Sequence, residues 1–450
     1  MKKSIIILLS ISIILVATIL GAGIYVYKNI LNINTIYKGV KIDGYSVENK
    51  TKEQALEFIK KTKEAEIQEK YMNLLYGGKI YKINLKQIGF SYEYDSAVSH
   101  AFTLGREGNF IKRLRDIKKL KTGLDIPLKS FYSEDKIENI SKNISREINI
   151  EPIDAKINFN KGKITVTDHT VGKKVVLEDL VTLIDKNIYE LKDIEIPVKD
   201  IVPNLTKEFL SRINGVIGEY STSFKGSSKG RIENIRLSAE AISNKLILPG
   251  QEFSYNNTTG PRTQESGYKE ANVIIGGELT PGLGGGVCQT STTMYNALLL
   301  ADLTIIERSP HSIPARYVPY GQDAAVSYGY LDLKFRNDFD FPIYTYSKIT
   351  GNQIYIYIYG DINTKNYQVK INPQIVETIQ PKTETIYDGK LSPGEKINIQ
   401  KGRTGYKVNT YKTIMKNGKV VSKKQITTDH YRKKDYIYKI GPYLPANSNN

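Results

Sequence analysis

The stretch from Leu279 to Leu303 reads LTPGLGGGVCQTSTTMYNALLLADL and carries the strongest structural and chemical signal in the chain. Four glycines, at positions 282, 284, 285 and 286, form a loop that leads into apolar residues at helical spacing. Apolar residues that recur every three or four positions predict a helix with one face in a core. The sequence therefore predicts a glycine loop followed by a core helix, with Cys288 at the junction.

Cys288 is the only cysteine of the chain. The partial positive charge at a helix N-terminus lowers the pKa of a thiol and favours its use as a nucleophile. His311, within the stretch RSPHS at 308–312, is a candidate base for that thiol, and either Asp323 or Asp332 would orient the imidazole. The alternative is a cysteine that packs as a small buried apolar residue.

The loop and the first helical turns supply further candidates. Gly285, Gly286 and Gln289 are candidates to support an oxyanion, because glycines let backbone N–H groups approach a carbonyl. Gly284 and Ser291 are candidate ligand-binding residues, and Ser291 is also a second candidate nucleophile, although a serine inside a helix commonly bonds to the backbone. The loop lacks the Gly-Lys-Ser/Thr of a phosphate loop and does not follow the dinucleotide-binding pattern, so no cofactor is expected.

Two polar clusters outside the loop are candidates for ligand binding. Arg262 and Glu265 stand in a predicted tight turn, where they would either clamp a carboxylate or sugar hydroxyls or form an internal ion pair. Tyr317 is one of several tyrosines that follow His311, and these would either stack on sugar rings or pack within a sheet.

Composition limits the classes of protein that remain. The chain has 450 residues, of which 40% are apolar and 25% charged, and this globular balance excludes collagen and whole-chain disorder. One cysteine excludes an intrachain disulfide, and four scattered histidines leave no expectation of a metal site. The net charge of +17 favours a polyanionic partner or a solvated surface.

The N-terminus predicts the compartment. Lys2 and Lys3 precede an uncharged stretch from Ser4 to Tyr27, which is long enough to span a bilayer as a helix. The absence of a clear small-residue cleavage site favours an uncleaved anchor over a signal peptide. The flanking lysines predict a single-pass membrane protein with the N-terminus inside and the bulk extracellular. Peptidoglycan or an anionic wall polymer is then the expected partner, together with the membrane, and nucleic acid is not.

The remaining sequence predicts an α+β protein in which three extracellular modules follow the transmembrane helix, the last of them all-β. A hairpin, a glycine and a helix occur in that order near 74–104 and again near 157–184, which is a weak internal repeat. Residues 28–35 look like a short stalk, and Asn417-Gly418 predicts a hairpin turn. The predicted boundaries are 1–27 for the anchor, 28–202 for an α+β region, 203–223 for a linker, 224–360 for the glycine-rich core and 375–443 for a β-rich region.

Three separated motifs carry a family resemblance. They read FSYNNTTGPRTQESGY at 253–268, GGGVCQTSTTMYNALLLADL at 284–303 and ERSPHSIPARYVPYGQDAAVSYGYLDLKFRN at 307–337. In this order they closely resemble the VanW family, which takes its name from vancomycin (glycopeptide) resistance clusters. Residues 70–200 resemble the peptidoglycan-binding domain that often precedes it, and the last region resembles the glycine-five domain of cell-surface proteins. The residues that match the VanW motifs are Gly260, Pro261, Arg262, Gly284, Gly285, Gly286, Cys288, Gln289, Ser291, His311, Tyr317, Asp323 and Asp332.

The resemblance implies a surface protein of a Gram-positive envelope that acts on or at peptidoglycan, with flanking modules that bind glycans. It does not supply a reaction. Two functions therefore remain open for the core. It is either a cysteine–histidine hydrolase or acyltransferase on peptidoglycan, or a non-catalytic wall-binding or assembly module with a structural cysteine.

Overall fold

The computed structural model describes residues 2–160, 162–275 and 277–442, and divides them into two units. The first unit holds the described residues of Met1–Ile153 and Val171–Val202, and the second those of Asp154–Thr170 and Pro203–Asn450. The predicted α+β class, with one N-terminal apolar helix and an all-β C-terminal region, is confirmed.

The helices and strands follow in chain order. Up to residue 210 they are α1 (Lys2–Val26), a π-helical turn (Tyr27–Leu31), β1 (Val40–Ile42), β2 (Tyr45–Ser46), α2 (Lys52–Gln68), β3 (Tyr71–Tyr76), β4 (Lys79–Asn84), β5 (Ser91–Tyr92), α3 (Tyr94–Thr103), α4 (Phe110–Leu120), β6 (Leu124–Ile126), β7 (Ser130–Phe131), α5 (Glu134–Ile148), β8 (Ile157–Asn160), β9 (Lys163–Val166), β10 (Gly172–Val175), α6 (Leu177–Asn187), β11 (Ile194–Glu195), β12 (Val198–Ile201) and α7 (Lys207–Leu210). Beyond residue 210 they are β13 (Gly215–Ser223), α8 (Lys229–Ile242), β14 (Lys245–Ile247), β15 (Glu252–Ser254), α9 (Tyr255–Thr259), β16 (Glu270–Ile275), β17 (Glu278–Leu283), α10 (Val287–Leu300), β18 (Thr304–Glu307), β19 (Lys334–Arg336), β20 (Ile343–Thr350), β21 (Gln353–Gly360), β22 (Gln368–Ile379), β23 (Thr383–Tyr387), β24 (Lys396–Gln400), β25 (Gly405–Lys416), β26 (Lys419–Tyr431) and β27 (Tyr436–Ile440).

The first unit begins with α1, whose apolar side chains are exposed. This helix is long and apolar enough to cross a membrane. The segment after it is not the stalk that the sequence predicted, since Leu31 and Ile36 are buried in a hydrophobic cluster. Arg106 fixes the same segment by donating hydrogen bonds to the carbonyl oxygens of Ile33 and Thr35. Apolar side chains and backbone hydrogen bonds therefore hold residues 31–37 within the fold.

The rest of the first unit packs short sheets against amphipathic helices. Its sheets have the strand orders β2-β1-β6, β11-β3-β4, β10-β12 and β5-β7. Two strand pairs, β1 with β6 and β3 with β11, are parallel, which needs long connections; α2 to α4 lie in the first and α3 to α6 in the second. A capping box at Thr51 and Gln54 starts α2, and the buried face of that helix includes Ile59.

The core of the second unit lies between α10 and a four-stranded sheet of order β13-β21-β20-β14. Its strands are antiparallel neighbours throughout. Gly218 on β13 allows the close approach of α10, because a Cβ there would lie 2.5 Å from both the Ala297 carbonyl oxygen and the Ala301 nitrogen. The predicted glycine loop and core helix are confirmed, and α10 is buried along nearly its whole length.

Two segments differ from the predicted domain boundaries. The range 203–223, predicted as a linker, contains α7 and also β13, an edge strand of the four-stranded sheet that pairs with β21. The hairpin β8–β9 belongs to the second unit, so the two hairpins of the predicted repeat pack in different units. The cause is aromatic packing, since the Phe159 ring centroid lies 4.1 Å from that of Tyr346.

The C-terminal β domain, residues 368–442, consists of two three-stranded sheets with the orders β22-β25-β26 and β23-β27-β24. The predicted turn between β25 and β26 is confirmed. Asn417 has φ +50° and Gly418 has φ +77°, and a tight hairpin turn requires positive φ at both central residues.

Candidate active site

Cys288 lies in the first turn of α10, directly after the glycine loop. Gly286 is the N-cap with φ +115°, a conformation that favours glycine. A Cβ on Gly286 would lie 2.9 Å from the Arg231 carbonyl oxygen, and one on Gly285 would lie 2.6 Å from the Asn272 carbonyl oxygen. The loop is therefore packed against α8 and β16 with no room for side chains, and this packing fixes where α10 begins.

His311 and Asp323 lie opposite each other on two antiparallel segments. Ser309 and Ala325 form a β-bridge, in which the Ala325 N–H donates to the Ser309 carbonyl oxygen over 2.8 Å. In that register residue 311 faces residue 323. The His311 backbone N–H donates to Asp323 Oδ2 over 2.7 Å, and His311 Nδ1 lies 2.5 Å from the same oxygen. The bridge and these two contacts set the orientation of the imidazole.

The Cys288 thiol completes the series. Because Nδ1 of His311 faces Asp323, the other ring nitrogen is available to the Cys288 thiol, and the two side chains are close enough for each to shift the pKa of the other. Sγ also accepts the Val326 N–H over 3.5 Å and lies 3.4 Å from the Val326 carbonyl oxygen. Cys288 is half-buried, whereas His311 is 6% exposed. Thiol, imidazole and carboxylate therefore lie next to one another at the start of a helix.

The electrostatics of the series favour a charged pair. Burial by itself raises the pKa of the Cys288 thiol, but the hydrogen bond to His311 and the charge of its ring bring that pKa below its usual value. Burial by itself lowers the pKa of His311, but the hydrogen bonds with Asp323 and Cys288 raise it to about 9. The two directions together favour transfer of the thiol proton to the imidazole, which gives a thiolate beside an imidazolium.

The carboxylate of Asp323 has two neighbours besides His311, namely Tyr431 and Arg308. The Tyr431 hydroxyl donates to Asp323 Oδ1 over 2.6 Å. Arg308 Nε donates to the Asp323 backbone oxygen over 2.6 Å, and Arg308 Nη2 lies 3.5 Å from Oδ1. Arg308 Nη1 pairs in turn with Asp429 Oδ1 over 2.5 Å. Burial by itself raises the pKa of Asp323, but these donors and His311 hold that pKa below its usual value.

Arg308, Asp429 and Tyr431 were not among the residues that the sequence singled out as candidates. Arg308 stands in the same short stretch as His311, so its position gave a weak signal. Asp429 and Tyr431 lie more than a hundred residues further on, in the C-terminal β domain. No sequence pattern links them to His311, and only the packing of that domain brings them to the cluster.

Asp332, the alternative orienting acid, is engaged elsewhere. Its carboxylate accepts the Ser254 hydroxyl over 2.5 Å and the Asn256 N–H over 2.9 Å, at the start of α9. It also accepts the N–H of Leu333. Of the two acids that the sequence left open, the structure thus places Asp323 against His311 and gives Asp332 a capping position.

Gln289 and Ser291 both serve packing in the structure. Gln289 Nε2 donates to the Thr222 hydroxyl and to the Ser223 carbonyl oxygen, while its Oε1 accepts from Arg231. The Ser291 hydroxyl donates to the carbonyl oxygens of Cys288 and Ala324 and is fully buried. These contacts hold α10 in place and leave neither side chain directed at the thiol.

Of the two alternatives for Arg262 and Glu265, the internal ion pair is not formed. Glu265 is exposed, and no ion pair joins it to Arg262 within the part of the chain that the structure describes. Arg262 instead donates through Nη1 to the Gly260 carbonyl oxygen, and its guanidinium lies 5.9 Å from the Tyr328 ring centroid. Its Nη2 is buried and has no hydrogen-bond partner among the described residues.

Arg262 and Tyr317 both lie on the thiol side of the site. The charge of Arg262 is close enough to lower the pKa of Cys288. Burial raises the pKa of the Tyr317 hydroxyl. Within residues 2–160, 162–275 and 277–442 no cluster of metal-ligating side chains is found. Fold and site together define a multidomain α+β protein with a cysteine–histidine–aspartate cluster at the start of a buried helix.

Comparisons with protein families agree with this organisation. The model for VanW like protein matches residues 230–359, that for the peptidoglycan binding domain matches 81–196, and that for the G5 domain matches 373–442. The protein YoaR of Bacillus subtilis is 35% identical over 240 residues, which are 53% of this chain and 78% of YoaR. The vancomycin B-type resistance protein VanW of Enterococcus faecalis is 31% identical over 138 residues, which are 30% of this chain and 50% of that protein.

Two solved structures also match part of the chain. The crystal structure of HP0197-G5 is 25% identical, covers 17% of this chain and 97% of that one, and gives a TM-score of 0.13. The G5 domain structure of IgA1 protease is 19% identical, covers 17% and 94% respectively, and gives a TM-score of 0.15.

The chain belongs to the VanW family. Its three domains mark it as a cell-wall-associated protein, and they support a cell-wall polymer as its partner. The N-terminal apolar helix and the wall domains fit a membrane-anchored or secreted protein with its bulk outside the cell.

Proposed function

We propose that this protein is a cell-envelope enzyme that uses Cys288 as the nucleophile in hydrolysis or acyl transfer at an amide of the peptidoglycan stem peptide. The observation that carries the proposal is that His311 lies between Cys288 and Asp323, hydrogen-bonded to the carboxylate and close enough to the thiol to lower its pKa. An acid, a base and a nucleophile in this order are the parts that cysteine acyl transfer needs.

The reaction proceeds in two steps. In the first, the Cys288 thiolate attacks the amide carbonyl carbon, and a C–S bond forms while the carbonyl pair moves to oxygen. The C–N bond then breaks, and His311 gives its ring proton to the departing amine, which leaves a thioester on Cys288. In the second, water or an acceptor amine loses a proton to His311 and attacks the thioester, and the thiolate departs. Asp323 keeps the imidazole in the required tautomer throughout.

The oxyanion of each step is bound at the start of α10. The first N–H groups of a helix have no partner within it, and they carry partial positive charge. In this loop the amides of Gly284, Val287 and Gln289 bond to the carbonyl oxygens of Lys269, Gly284 and Gly286. The backbone N–H of Cys288 lies between them, and we assign it as the oxyanion donor beside the attacked carbonyl.

Arg262 is the substrate-binding residue on the thiol side of the site. Its buried Nη2 lacks a hydrogen-bond partner among the described residues, and its charge acts on Cys288. An unpartnered guanidinium donor is suited to a carboxylate, and stem peptides carry carboxylates. Arg262 therefore positions the substrate carboxylate, while Tyr317 lines the same side.

The flanking parts bring the enzyme to its substrate. The proposed anchor is α1, with its lysines inside and the rest of the chain outside the cell. The region that matches the peptidoglycan binding domain and the C-terminal β domain then bind wall polymer. The basic net charge strengthens contact with anionic polymers.

The second candidate function is a non-catalytic wall-binding or assembly protein. One observation favours it, namely that Cys288 Sγ contacts both the N–H and the carbonyl oxygen of Val326, as a packed structural cysteine would. In that case His311 and Asp323 would serve only to close the loop between residues 309 and 325.

Alkylation of the single thiol separates the two functions. The full chain, purified in detergent, is treated with iodoacetamide over a range of pH, with His311→Ala as the matched variant. An apparent pKa below about 8.5 in the natural chain, and a higher value in the variant, supports the thiolate–imidazolium pair. A thiol that reacts only after addition of denaturant contradicts the enzyme and favours the binding protein.

A further inference from the structure

We propose that the C-terminal β domain is a part of the catalytic unit, in which Asp429 and Tyr431 of β26 position Asp323 and, through it, the His311 imidazole. The proposal rests on the function proposed above and goes beyond it, since the family resemblance gives this domain only a role in binding. Asp429 and Tyr431 are positioning residues, because neither contacts the thiol or the substrate.

The two side chains enter the cluster from one face of a strand. Residues at i and i+2 of a strand point to the same side, and Asp429 and Tyr431 are 2% and 1% exposed. His430, between them, is exposed to solvent. The strand thus directs one acid and one hydroxyl at the segment that carries Asp323.

Tyr431 fixes one oxygen of the Asp323 carboxylate. Its hydroxyl oxygen accepts the Gly321 N–H over 2.7 Å, so the hydroxyl proton is free to point at Asp323 Oδ1, 2.6 Å away. Oδ1 is held in this way from the C-terminal β domain. Oδ2 is then left to face the backbone N–H and Nδ1 of His311.

Asp429 balances the charge of Arg308. The side chains of Arg308 and Asp429 are 4% and 3% exposed, and they are paired over 2.5 Å. Arg308 lies farther, 3.5 Å, from the Asp323 carboxylate. Without Asp429, the buried guanidinium would have Asp323 as its nearest countercharge, in competition with the imidazolium. Asp429 therefore leaves the charge of Asp323 to His311.

Other contacts join the same two parts of the second unit. The Thr410 hydroxyl donates to the Gly321 carbonyl oxygen over 3.1 Å, and the ring centroids of Tyr320 and Tyr406 are 4.9 Å apart. Lys412 pairs with Asp302 over 2.6 Å, at a position outside the cluster. This last pair offers a control, since its loss weakens the same interface without touching Asp323.

The test measures protonation rather than turnover. The full chain in detergent carries Asp429→Asn, Tyr431→Phe or, as the control, Lys412→Met. The pKa of His311 is followed by NMR, with His311→Ala to assign its signal, and the thiolate of Cys288 by ultraviolet absorbance. Unfolding is followed by circular dichroism. The groups that face the pair and enter its interpretation are Arg262, Tyr295, Arg308, Tyr317, Asp323, Asp429 and Tyr431.

The two variants are expected to shift the pKa of His311 in opposite directions. Asp429→Asn removes a negative charge and turns Arg308 towards Asp323, so the pKa of His311 falls by about 1 unit. Tyr431→Phe removes a donor from Asp323 and concentrates negative charge on its carboxylate, so the pKa of His311 rises by about half a unit. Lys412→Met leaves the pKa of His311 unchanged, even if this variant lowers the thermal midpoint of unfolding as much as the other two do.

Three results would overturn the proposal. If the pKa of His311 is unchanged in both variants while the natural chain has the thiolate–imidazolium pair, this inference is wrong and the proposed function is unaffected. Shifts of the His311 pKa in the same direction in all three variants show a general loosening of the interface and no positioning role for Asp429 and Tyr431. An ordinary pKa of the Cys288 thiol in the natural chain contradicts the proposed function. This inference then fails as well, because it rests on that function. If Asp429→Asn does not fold, Tyr431→Phe, which deletes one oxygen, carries the test.

Discussion

In each of the two units a buried cation lies between two acids, and the two clusters differ in how far their acids are exposed to solvent. In the first unit Lys63, whose side chain is 8% exposed, pairs with Asp43 over 2.5 Å and with Glu66 over 2.9 Å. In the second, Arg308 takes the corresponding place between Asp429 and Asp323. The acids around Lys63 are 38% and 31% exposed, whereas those around Arg308 are nearly excluded from solvent.

This difference indicates when a buried carboxylate can act on a reactive side chain. Both acids beside Lys63 pair with its ammonium group, and Glu66 also accepts a hydrogen bond from the Tyr45 hydroxyl. Around Arg308, Asp429 pairs with the guanidinium, whereas Asp323 faces the His311 imidazole, which lies beside a thiol. The first cluster stabilises the fold, and we infer that the second also sets the charge of a nucleophile.

The largest effect is expected from removing the nucleophile. Cys288→Ala should lower muropeptide turnover by at least about 10³-fold, because no other side chain replaces the thiolate. The measurement is product formation by chromatography and mass spectrometry. Ser291→Ala, one helical turn away and directed at backbone oxygens, is the matched control and should retain turnover. Equal loss in both variants, or turnover that survives Cys288→Ala, would contradict the assignment of the nucleophile.

The next effect concerns stability and compares the two cations directly. Arg308→Met leaves the buried carboxylate of Asp429 without a countercharge and that of Asp323 with His311 alone, and should cost about 3–5 kcal/mol of unfolding free energy in the second unit. Lys63→Met should cost about 1 kcal/mol in the first, because water reaches its acids. Urea titration of each full-length variant measures both. Similar losses for the two variants would show that burial of the acids does not distinguish the clusters.

The smallest effect concerns the pH dependence of turnover. A raised pKa keeps His311 protonated at neutral pH, and the proton is lost as the pH rises through about 9, so turnover should fall there. On the acid side turnover should fall as the thiolate of Cys288 takes up its proton, at a pH below the usual thiol pKa. Asp323→Asn should move the alkaline limb down by at least about 1 unit, since the imidazolium loses its countercharge.

Asp332→Asn is the control for this profile. Asp332 caps the start of α9 and has no contact with His311 among its hydrogen bonds, so the variant should keep both limbs in place while it lowers stability. A shift of the alkaline limb in Asp332→Asn alone would reverse the choice between the two acids.

Local patterns predicted local structure well. Glycines followed by apolar residues at helical spacing are sufficient to predict α10, and Asn417-Gly418 is sufficient to predict the hairpin between β25 and β26, because each depends on backbone conformation within a few residues. The same patterns failed where the environment of a segment mattered. Residues 28–35 and 203–223 carry no strong local signal, and they are ordered by contacts with distant parts of the chain.

The residue types of the site can be read from the sequence, namely one thiol at a helix start, one histidine near it and two following acids. The choice between Asp323 and Asp332 needed the fold, since the bridge from Ser309 to Ala325 sets a single residue opposite His311. The fold alone also added Asp429 and Tyr431. The physical reason is that charge stabilisation depends on distance and burial, and packing between segments far apart in the chain determines both.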